Sequence, residues 1–188
     1  MYNVIAIMGK SGAGKDTILN ELCKRYPTLN KKVSTTTRPP RDYEKDGVDY
    51  YFVSGEEFAR KVVNYEMAEA ADFRDWFYGT EYRALKENSL NVGVFNPDGI
   101  RALKDDKQIN LLVIYIVSSS KTRIRRTLDR EEQPDIEEIF RRYKTDEEDF
   151  DELNFCYSEV KNDGEKMSDI IEKIQKEIVS HFGQKNLM

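Results

Sequence analysis

Short apolar runs alternate along the chain with segments in which apolar residues recur at helical spacing. Tyr2 to Met8 and Leu111 to Val117 are apolar runs of the kind found in strands buried on both faces. Val92 to Phe95 and Asn154 to Val160 are two further candidate strands, and a helix is expected to begin near Asp98. Strand–helix units repeated in this way predict an α/β fold with a mostly parallel central sheet. The helical patterns after the first and last runs are carried by Ile18, Leu19, Leu22 and Cys23 and by Ile170, Ile171, Ile174 and Ile178.

Two stretches interrupt this rhythm. Residues 34 to 80 are rich in Thr, Pro, Tyr and Asp and contain strand-like pieces such as Tyr50 to Val53, which indicates an inserted ligand-binding subdomain. Residues 121 to 152 hold eight basic and twelve acidic side chains, and Pro134 divides them into two helical arms. A charge run of this length is ordinarily a solvated face.

The composition is that of one globular unit. The chain has 188 residues, of which 39% are hydrophobic and 35% are charged. The apolar content is sufficient for a hydrophobic core, and the charged content excludes membrane insertion. No apolar run approaches the ~18 residues that a membrane-spanning helix needs. A secretory leader pattern is missing before the first strand, and we expect a cytoplasmic protein. The two cysteines lie far apart, and a single histidine, His181, leaves no material for histidine chemistry.

The net charge of −5 conceals an asymmetry. Residues 1 to 45 carry nine Lys or Arg and four Asp or Glu, so this N-terminal quarter should attract anions. The acidic remainder and the lack of a nucleic-acid-binding motif favour a small phosphorylated ligand over DNA or RNA. We therefore expect neither a nucleic acid nor a membrane as a partner.

A glycine-rich loop follows the first predicted strand and opens the first predicted helix. From Gly9 to Thr17 it reads GKSGAGKDT, which matches the phosphate-binding GxxxxGK motif in the context that this motif requires. The glycines let backbone amides face phosphate oxygens, the helix N-terminus adds positive potential, and Lys15 brings a charge to the β- and γ-phosphates. The expected ligand is a nucleoside triphosphate, bound by Gly9, Ser11, Gly12, Ala13, Gly14, Lys15, Asp16 and Thr17.

Asp16 is a departure from the motif, because a Ser or Thr hydroxyl ordinarily coordinates Mg²⁺ at this position. An aspartate there can ligate the metal directly or through water, or it can cap the helix, where a carboxylate is favourable. A water-mediated role at Mg²⁺ is the interpretation that we favour.

Arginines and aromatic residues follow the phosphate loop. Arg38 and Arg41 stand three residues apart with prolines between them, a rigid pair of guanidinium groups suited to a phosphate ester. The segments 46–54, 66–70 and 77–80 come next, with the sequences DGVDYYFVS, EMAEA and FYGT. In order, and in almost matching spacing over nearly the whole chain, these segments and the phosphate loop resemble the guanylate kinase family.

The resemblance implies a P-loop NTPase fold of three layers, with an inserted nucleoside-monophosphate-binding subdomain and a helical lid. It also implies in-line transfer of a phosphoryl group from Mg·ATP to GMP or dGMP. The implied boundaries are a core of residues 1–33, 81–125 and 150–188, a GMP-binding subdomain of residues 34–80 and a lid of residues 126–149. The acceptor monophosphate would be held by Arg38, Arg41, Tyr50 and Tyr78.

The family's guanine-reading positions correspond here to Ser34, Glu69 and Thr80, with Gly79 beside them. In the family a carboxylate accepts hydrogen bonds from N1–H and the 2-amino group of guanine, and a hydroxyl reads O6. Adenine offers neither donor and would leave the carboxylate unpaired, which is a strong form of discrimination. The resemblance therefore implies GMP or dGMP as the acceptor.

The charged stretch resembles the family's lid. Arg126 and Arg130 lie four residues apart in its first arm, and Arg141 and Arg142 lie in the second. Closure would bring arginines onto the phosphates and exclude water. Asn162 opens an Asn-Asp-Gly turn that resembles the family's adenine-contacting turn, and Arg126 would join it in binding ATP. The implied catalytic set is Lys15, Arg38, Arg130 and Arg142.

The match weakens after the strand that ends near Phe95. Alignment on Gly99 places Val94 and Asn96 where the family has two acidic residues that serve Mg²⁺ and the acceptor nucleoside. Asn96 can still hydrogen-bond a base or ribose. Asp16 would then compensate by moving a carboxylate to the phosphate loop.

Two alternatives stay open at this point. The aspartate in the glycine loop and the asparagine after the core strand resemble ribose 1,5-bisphosphate phosphokinase, which acts on a sugar phosphate. Against it, Arg38, Arg41, the segment 46–54 and Glu69 are more similar to the GMP-binding type. The second alternative is a kinase-like scaffold module that binds proteins, although such modules usually have a degraded phosphate loop.

Overall fold

A parallel sheet of five strands forms the centre of the computed structural model, which describes residues 1–42, 44–73, 75–129, 134–184 and 187. The spatial order of its strands places the first strand in the middle, and strands from later in the chain pair with it on both sides. The predicted α/β fold with a parallel central sheet is confirmed. In spatial order the strands are β2 (Asn30–Lys31), β7 (Leu90–Val94), β1 (Tyr2–Met8), β8 (Ile109–Val117) and β9 (Ser158–Lys161).

The other four strands form a second sheet. One pair in it is parallel and two pairs are antiparallel. All four strands lie between residues 34 and 81, which is the stretch that the sequence marks as inserted, while the boundaries of a subdomain stay a prediction. In spatial order they are β4 (Tyr50–Phe52), β3 (Ser34–Thr36), β6 (Trp76–Glu81) and β5 (Met67–Phe73).

Helices cover both faces of the central sheet. Alternation along β1 sends Ile5 and Ile7 to the core on one face and Val4 and Met8 to the core on the other. The first core is completed by two helices and the second by one, which gives three layers. The described helices are α1 (Lys15–Arg25), α2 (Gly55–Val63), α3 (Pro97–Asp105), α4 (Ser120–Leu128), α5 (Ile136–Asp149) and α6 (Met167–Phe182), with a 3₁₀ turn at Tyr82–Ala84. None of the described helices meets the length and apolarity that a membrane span requires.

Several strands have other bounds than the sequence predicts: β7 begins at Leu90, β8 begins at Ile109 and β4 ends at Phe52. β7 ends at Val94, before Phe95, because Asn96 begins the cap of α3: its side chain accepts a hydrogen bond from the Gly99 amide at 2.8 Å. β9 begins at Ser158 rather than Asn154. The residues before Ser158 do not pair with β8. Phe155, for example, packs against the core on the α3 face of the sheet. The charged stretch forms α4 and α5, one on each side of Pro134, as predicted.

A buried ionic network closes the second sheet. Glu81, which is 1% exposed, accepts hydrogen bonds from Thr35 Oγ1 at 2.6 Å and from Lys61 Nζ at 2.9 Å. The Arg83 guanidinium donates two more, at 2.7 and 3.0 Å. Burial opposes ionisation of Glu81, but the donors of Arg83, Thr35 and Lys61 outweigh it and lower the pKa of Glu81 to about 2.

We expect Glu81→Gln to lower the free energy of unfolding by about 3 kcal/mol near neutral pH, because it leaves buried cations without their carboxylate. The folded-state pKa of Glu81 lies below its ordinary value. Its stabilisation is therefore present above that ordinary value and is lost as the pH falls towards 2. Denaturant unfolding at pH 7 and pH 3 measures both effects.

The matched control is Glu172→Gln on α6, since Glu172 forms an exposed ion pair with Lys176. This control should change the stability by less than about 0.5 kcal/mol. A Glu81→Gln penalty that is as large at pH 3 as at pH 7 would contradict the assigned role.

Candidate active site

A cleft of about 560 Å³ lies beside the carboxyl ends of β1 and β7. The second sheet and the end of α5 form its other walls. Residues predicted from distant parts of the sequence therefore meet in one place. Of the predicted site residues, the cleft is lined by Gly9, Ser11, Lys15, Asp16, Ser34, Arg41, Tyr50, Glu69, Tyr78, Gly79 and Asn96.

Glycines give the loop between β1 and α1 its path. Gly12 has a φ of +79°, and a Cβ on it would lie 2.5 Å from the Arg123 carbonyl oxygen. A larger residue would push the loop away from α4. Gly14 is the N-cap of α1 and offers no side-chain acceptor, so the first amides of the helix keep their capacity for an anion. Thr17 is exposed on the first turn of α1.

Lys15 folds back over this loop. Its Nζ donates to the carbonyl oxygens of Gly9 at 2.6 Å and of Lys10 at 3.2 Å. Burial lowers the pKa of Lys15, and the carboxylates of Asp16 and Asp146 oppose that shift. A phosphate entering the loop would offer charged acceptors in place of these carbonyls.

Asn162 and Arg126 support the loop from the side of β9. Asn162 is 6% exposed, and its Nδ2 donates to the Ala13 carbonyl at 2.7 Å. Arg126 Nη2 donates to Asn162 Oδ1 at 3.2 Å, and its Nη1 donates to the Ala13 carbonyl at 3.4 Å. Both predicted residues therefore lie at the phosphate loop. Their contact with an adenine ring stays a prediction.

The four residues predicted to hold the acceptor phosphate lie together. The Tyr50 and Tyr78 rings meet edge to face at 6.0 Å, and the Arg38 guanidinium lies 5.4 Å from the Tyr50 ring centroid. Arg38 Nη2 donates to both carboxylate oxygens of Glu44, at 2.7 and 2.9 Å, and the Arg41 amide also donates to Glu44, at 2.8 Å. The hydrogen bonds between Arg38 and Glu44 raise the pKa of Arg38 and lower that of Glu44.

A second cavity lies between this cluster and α5. The two lid arginines of α5 line it together with Arg38 and Arg41, so four guanidinium groups border one space. Arg142 Nε donates to Glu138 Oε1 at 2.8 Å, and Arg141 Nε donates to Glu138 Oε2 at 2.7 Å. A carboxylate of the same helix therefore holds both. Arg130, the other predicted catalytic arginine of the lid, lies outside the described residues.

Two of the three predicted base-reading residues, Glu69 and Thr80, form a buried pair. Thr80 Oγ1 donates to Glu69 Oε1 at 2.6 Å, and the two residues are 0% and 7% exposed. Burial raises the pKa of Glu69, while Lys32 and the Thr80 hydroxyl oppose that shift. A Cβ on Gly99 would lie 2.9 Å from Glu69 Oε2, so the first turn of α3 leaves room for the carboxylate only because residue 99 is glycine.

This arrangement agrees with the family match. Residues 1–181 match the family model described as guanylate kinase. The chain belongs to the guanylate kinase family. The resemblance inferred from the sequence is thus confirmed, and neither the sugar-phosphate kinase nor the scaffold module is favoured.

Individual guanylate kinases are similar to this family member over different lengths. The guanylate kinase of Malacoplasma penetrans is 33% identical over 182 residues, which cover 89% of this chain and 91% of that protein. That of Thermosynechococcus vestitus is 49% identical over 82 residues, which span 44% of this chain and 43% of that protein, less than half of its length. The crystal structure of guanylate kinase from Anaplasma phagocytophilum aligns with a TM-score of 0.67 at 25% identity, over 97% of this chain and 88% of that one.

Several charged residues that line the cleft are not among those predicted from the sequence, and three of them contact predicted site residues: Lys32, Glu44 and Asp146. Each stands at a short spacing from a predicted site residue, which places it in the same neighbourhood without indicating its distant partner. Lys32 stands two residues before Ser34, the spacing that puts two strand residues on one face. Asp146 stands four residues after Arg142, on the same face of a helix. Glu44 follows Arg41 by three residues and accepts a hydrogen bond from its amide.

Asp146 brings a carboxylate from α5 to the phosphate loop of this guanylate kinase family member. Its Oδ2 accepts from the Ser11 amide at 2.6 Å and from Arg123 Nη1 at 3.3 Å, and its Oδ1 accepts from the Ser11 hydroxyl at 3.3 Å. A second contact, between Lys10 Nζ and Glu147 Oε2 at 2.6 Å, ties the same helix to the loop. The protein's own carboxylate therefore occupies a backbone donor that a bound anion would use.

We expect Asp146→Asn to tighten the binding of metal-free ATP by about threefold to tenfold, because the substitution removes one negative charge beside the triphosphate. Calorimetric titration in the presence of EDTA measures this effect without a metal. The control is again Glu172→Gln, far from the cleft on α6, which should leave the dissociation constant unchanged. Weaker binding by the Asp146 variant would show that the carboxylate does not compete with phosphate.

Proposed function

We propose that the protein transfers the γ-phosphoryl group of ATP to GMP or dGMP and so produces ADP and GDP or dGDP. One observation carries this proposal: a single cleft is lined both by the phosphate loop with Lys15 and by Glu69, which accepts a hydrogen bond from the buried Thr80 hydroxyl. Membership of the guanylate kinase family supports the same activity. The proposal places the protein in purine nucleotide metabolism, and we expect it in the cytoplasm.

The acceptor side supports a guanine nucleotide. The Thr80 hydroxyl donates to Glu69 Oε1, so the second carboxylate oxygen, Oε2, can accept hydrogen bonds from a ligand. Guanine presents N1–H and a 2-amino group, which are suitable donors for it. Ser34 would read O6 from the neighbouring strand, and Asn96 would contact the base or ribose. The cluster of Arg38, Arg41, Tyr50 and Tyr78 would hold the monophosphate.

The reaction requires alignment and charge neutralisation rather than a covalent intermediate. An oxygen of the acceptor phosphate attacks the γ-phosphorus in line, and the transferred group carries its charge on the equatorial oxygens. Lys15, Arg38 and Arg142 are cations suited to stabilising that charge, and Arg130 would join them when the lid closes. No general base is needed.

The carboxylate partners of these arginines support the same proposal. Glu44 pairs with Arg38, and Glu138 pairs with Arg142. An arginine held this way is already oriented and partly desolvated, so a phosphate can take over its hydrogen bonds at little cost in side-chain entropy. The cleft therefore combines preformed cation positions with exchangeable acceptors.

Mg²⁺ is the metal that this transfer implies, and Asp16 is the residue that fits it. Among the described residues no group of three or more His, Cys, Asp or Glu is arranged to hold a metal. Mg²⁺ does not require such a group, since it is usually held by one or two carboxylates together with phosphates and water. Asp16 lies in the cleft next to Lys15, whereas Val94 and Asn96 bring no carboxylate. The bound ion would neutralise charge on the β- and γ-phosphates.

We expect Asp16→Ala to raise the Mg²⁺ concentration needed for half-maximal turnover by about tenfold, which corresponds to loss of one carboxylate contact, direct or through water. Turnover measured across a Mg²⁺ series at saturating nucleotides tests this. Asp169→Ala, an exposed aspartate in the first turn of α6, is the control. An unchanged Mg²⁺ requirement in the Asp16 variant would assign that side chain to the helix terminus alone.

The experiment that tests the proposed activity is a coupled assay of ATP consumption with GMP, dGMP, AMP, UMP, CMP and ribose 1,5-bisphosphate. We expect turnover with GMP or dGMP and a loss of at least about 10³-fold in Lys15→Met. Lys24→Met, an exposed change in the same helix, should keep activity. Turnover with the sugar phosphate alone would establish the first alternative, and silence with every acceptor would favour a binding module.

A further inference from the structure

Lys32 carries a buried ammonium group into the wall of the cleft, beside the residues proposed to read guanine. It follows β2, and its side chain is 4% exposed. Its Nζ donates to Ser34 Oγ at 2.7 Å and to Thr80 Oγ1 at 2.8 Å. The nearest carboxylate oxygen, Glu69 Oε1, lies 4.0 Å away, and the Phe95 ring centroid lies 3.9 Å away. The lysine therefore lies within 4.0 Å of Ser34, Thr80 and Glu69, the residues at the guanine-reading positions.

A glycine in the central sheet makes room for this lysine. A Cβ on Gly93, in β7, would lie 2.4 Å from Lys32 Cε and 2.5 Å from its Cγ. The Lys32 amide also bonds to the neighbouring Val92 carbonyl at 3.0 Å, which fixes where the side chain starts. The absence of a side chain at Gly93 thus allows the Lys32 side chain to reach Ser34 and Thr80.

The hydrogen bonds of the ammonium fix the directions of two hydroxyl groups. Thr80 Oγ1 accepts from Lys32 and gives its own proton to Glu69, so the Thr80 hydroxyl has no proton left to donate to a ligand. Ser34 Oγ also accepts from Lys32, which turns the Ser34 proton away from the ammonium. Among the described residues no acceptor is found for that proton. It is left for a ligand in the cleft.

The result is a donor next to an acceptor. The Lys32 ammonium and the Ser34 hydroxyl that it orients supply the donor, and the Glu69 carboxylate, with Oε1 4.0 Å from the ammonium, supplies the acceptor. A 6-oxopurine has the complementary order, with the O6 acceptor beside the N1–H donor, whereas a 6-aminopurine has the reverse order at both positions.

We propose that Lys32 is a specificity-determining residue of the acceptor site, which sets the Ser34 hydroxyl as a donor and places positive charge opposite the 6-oxo group of the purine. This inference rests on the proposed function and deepens it. Lys32 acts through Ser34 and through its charge, and the chemistry of phosphoryl transfer does not involve it.

The protonation of Lys32 is consistent with this role. Burial lowers the pKa of Lys32 to about 8, and Glu69 opposes the shift. The ammonium form therefore still predominates at neutral pH. Its cost of burial is offset by two hydroxyl acceptors, the carboxylate and the face of the Phe95 ring.

The test compares GMP with 6-thio-GMP, which keeps N1–H and the 2-amino group but replaces O6 with a weaker acceptor. In the unmodified protein we expect kcat/KM to favour GMP by at least about tenfold. Lys32→Met keeps the length and apolar stem of the side chain and removes the charge. It should lower kcat/KM for GMP by about 10- to 100-fold, the value of one hydrogen bond to a charged group, and change that for 6-thio-GMP by less than about threefold.

Gly93→Ala provides a second variant that keeps the lysine and moves it, and it should lower kcat/KM for GMP in the same selective way. Lys104→Met, an exposed lysine of α3, is the matched control and should leave both substrates unaffected. ATP binding without acceptor, measured by calorimetry, reports whether each variant retains its fold and its phosphate loop.

Each outcome has one meaning. A loss confined to GMP in a variant that still binds ATP supports the proposal. The proposal would be overturned by equal losses with both nucleotides, by no loss, or by an unmodified protein that does not prefer GMP. Loss of ATP binding by both variants would also overturn it, and Lys32 would then be a structural residue. Failure of the unmodified protein to phosphorylate GMP would instead overturn the proposed function itself.

Discussion

Burial of positive charge is the constraint on which the cleft depends. A site for two polyanions must concentrate cations, yet an ammonium or guanidinium without a partner is costly in a desolvated wall. The protein meets this with oxygen acceptors of its own. Backbone carbonyls hold Lys15, Glu44 holds Arg38, and Glu138 holds Arg142. Substrate phosphates are stronger acceptors of the same kind, so binding exchanges partners and exposes no bare charge.

The parallel sheet decides where these cations meet. Strands β1 and β7 end side by side, so the glycine loop after β1 and the Asn96 cap after β7 form adjoining parts of one wall. The second sheet supplies the opposite wall with Glu69 and Tyr78, and α5 brings Asp146 to the loop. The glycine loop, the pair of Glu69 and Thr80 and the end of α5 are thereby placed by backbone topology.

The central sheet and the phosphate loop could be predicted because their signals are local. Apolar runs mark β1 and β8, and the glycine spacing marks the loop within nine residues of sequence. The start of β9 and the roles of Lys32 and Asp146 depend on contacts between distant segments. Lys32 meets Thr80 across 48 positions, and Ser11 meets Asp146 across 135. Neither hydrophobic periodicity nor motif spacing carries information about such pairs, and the individual site assignments beyond the family match stay predictions.

The narrow passage beside Gly93 has an evolutionary consequence. In a homologue with a side chain at that sheet position, a lysine stem cannot follow the path that it takes here, and a homologue that combines the glycine with a small residue in place of the lysine has a void there. The two positions are therefore expected to be inherited or exchanged together. Introducing this cation into another kinase of the same family therefore requires two substitutions, a lysine at the position of Lys32 and a glycine at the position of Gly93 in β7.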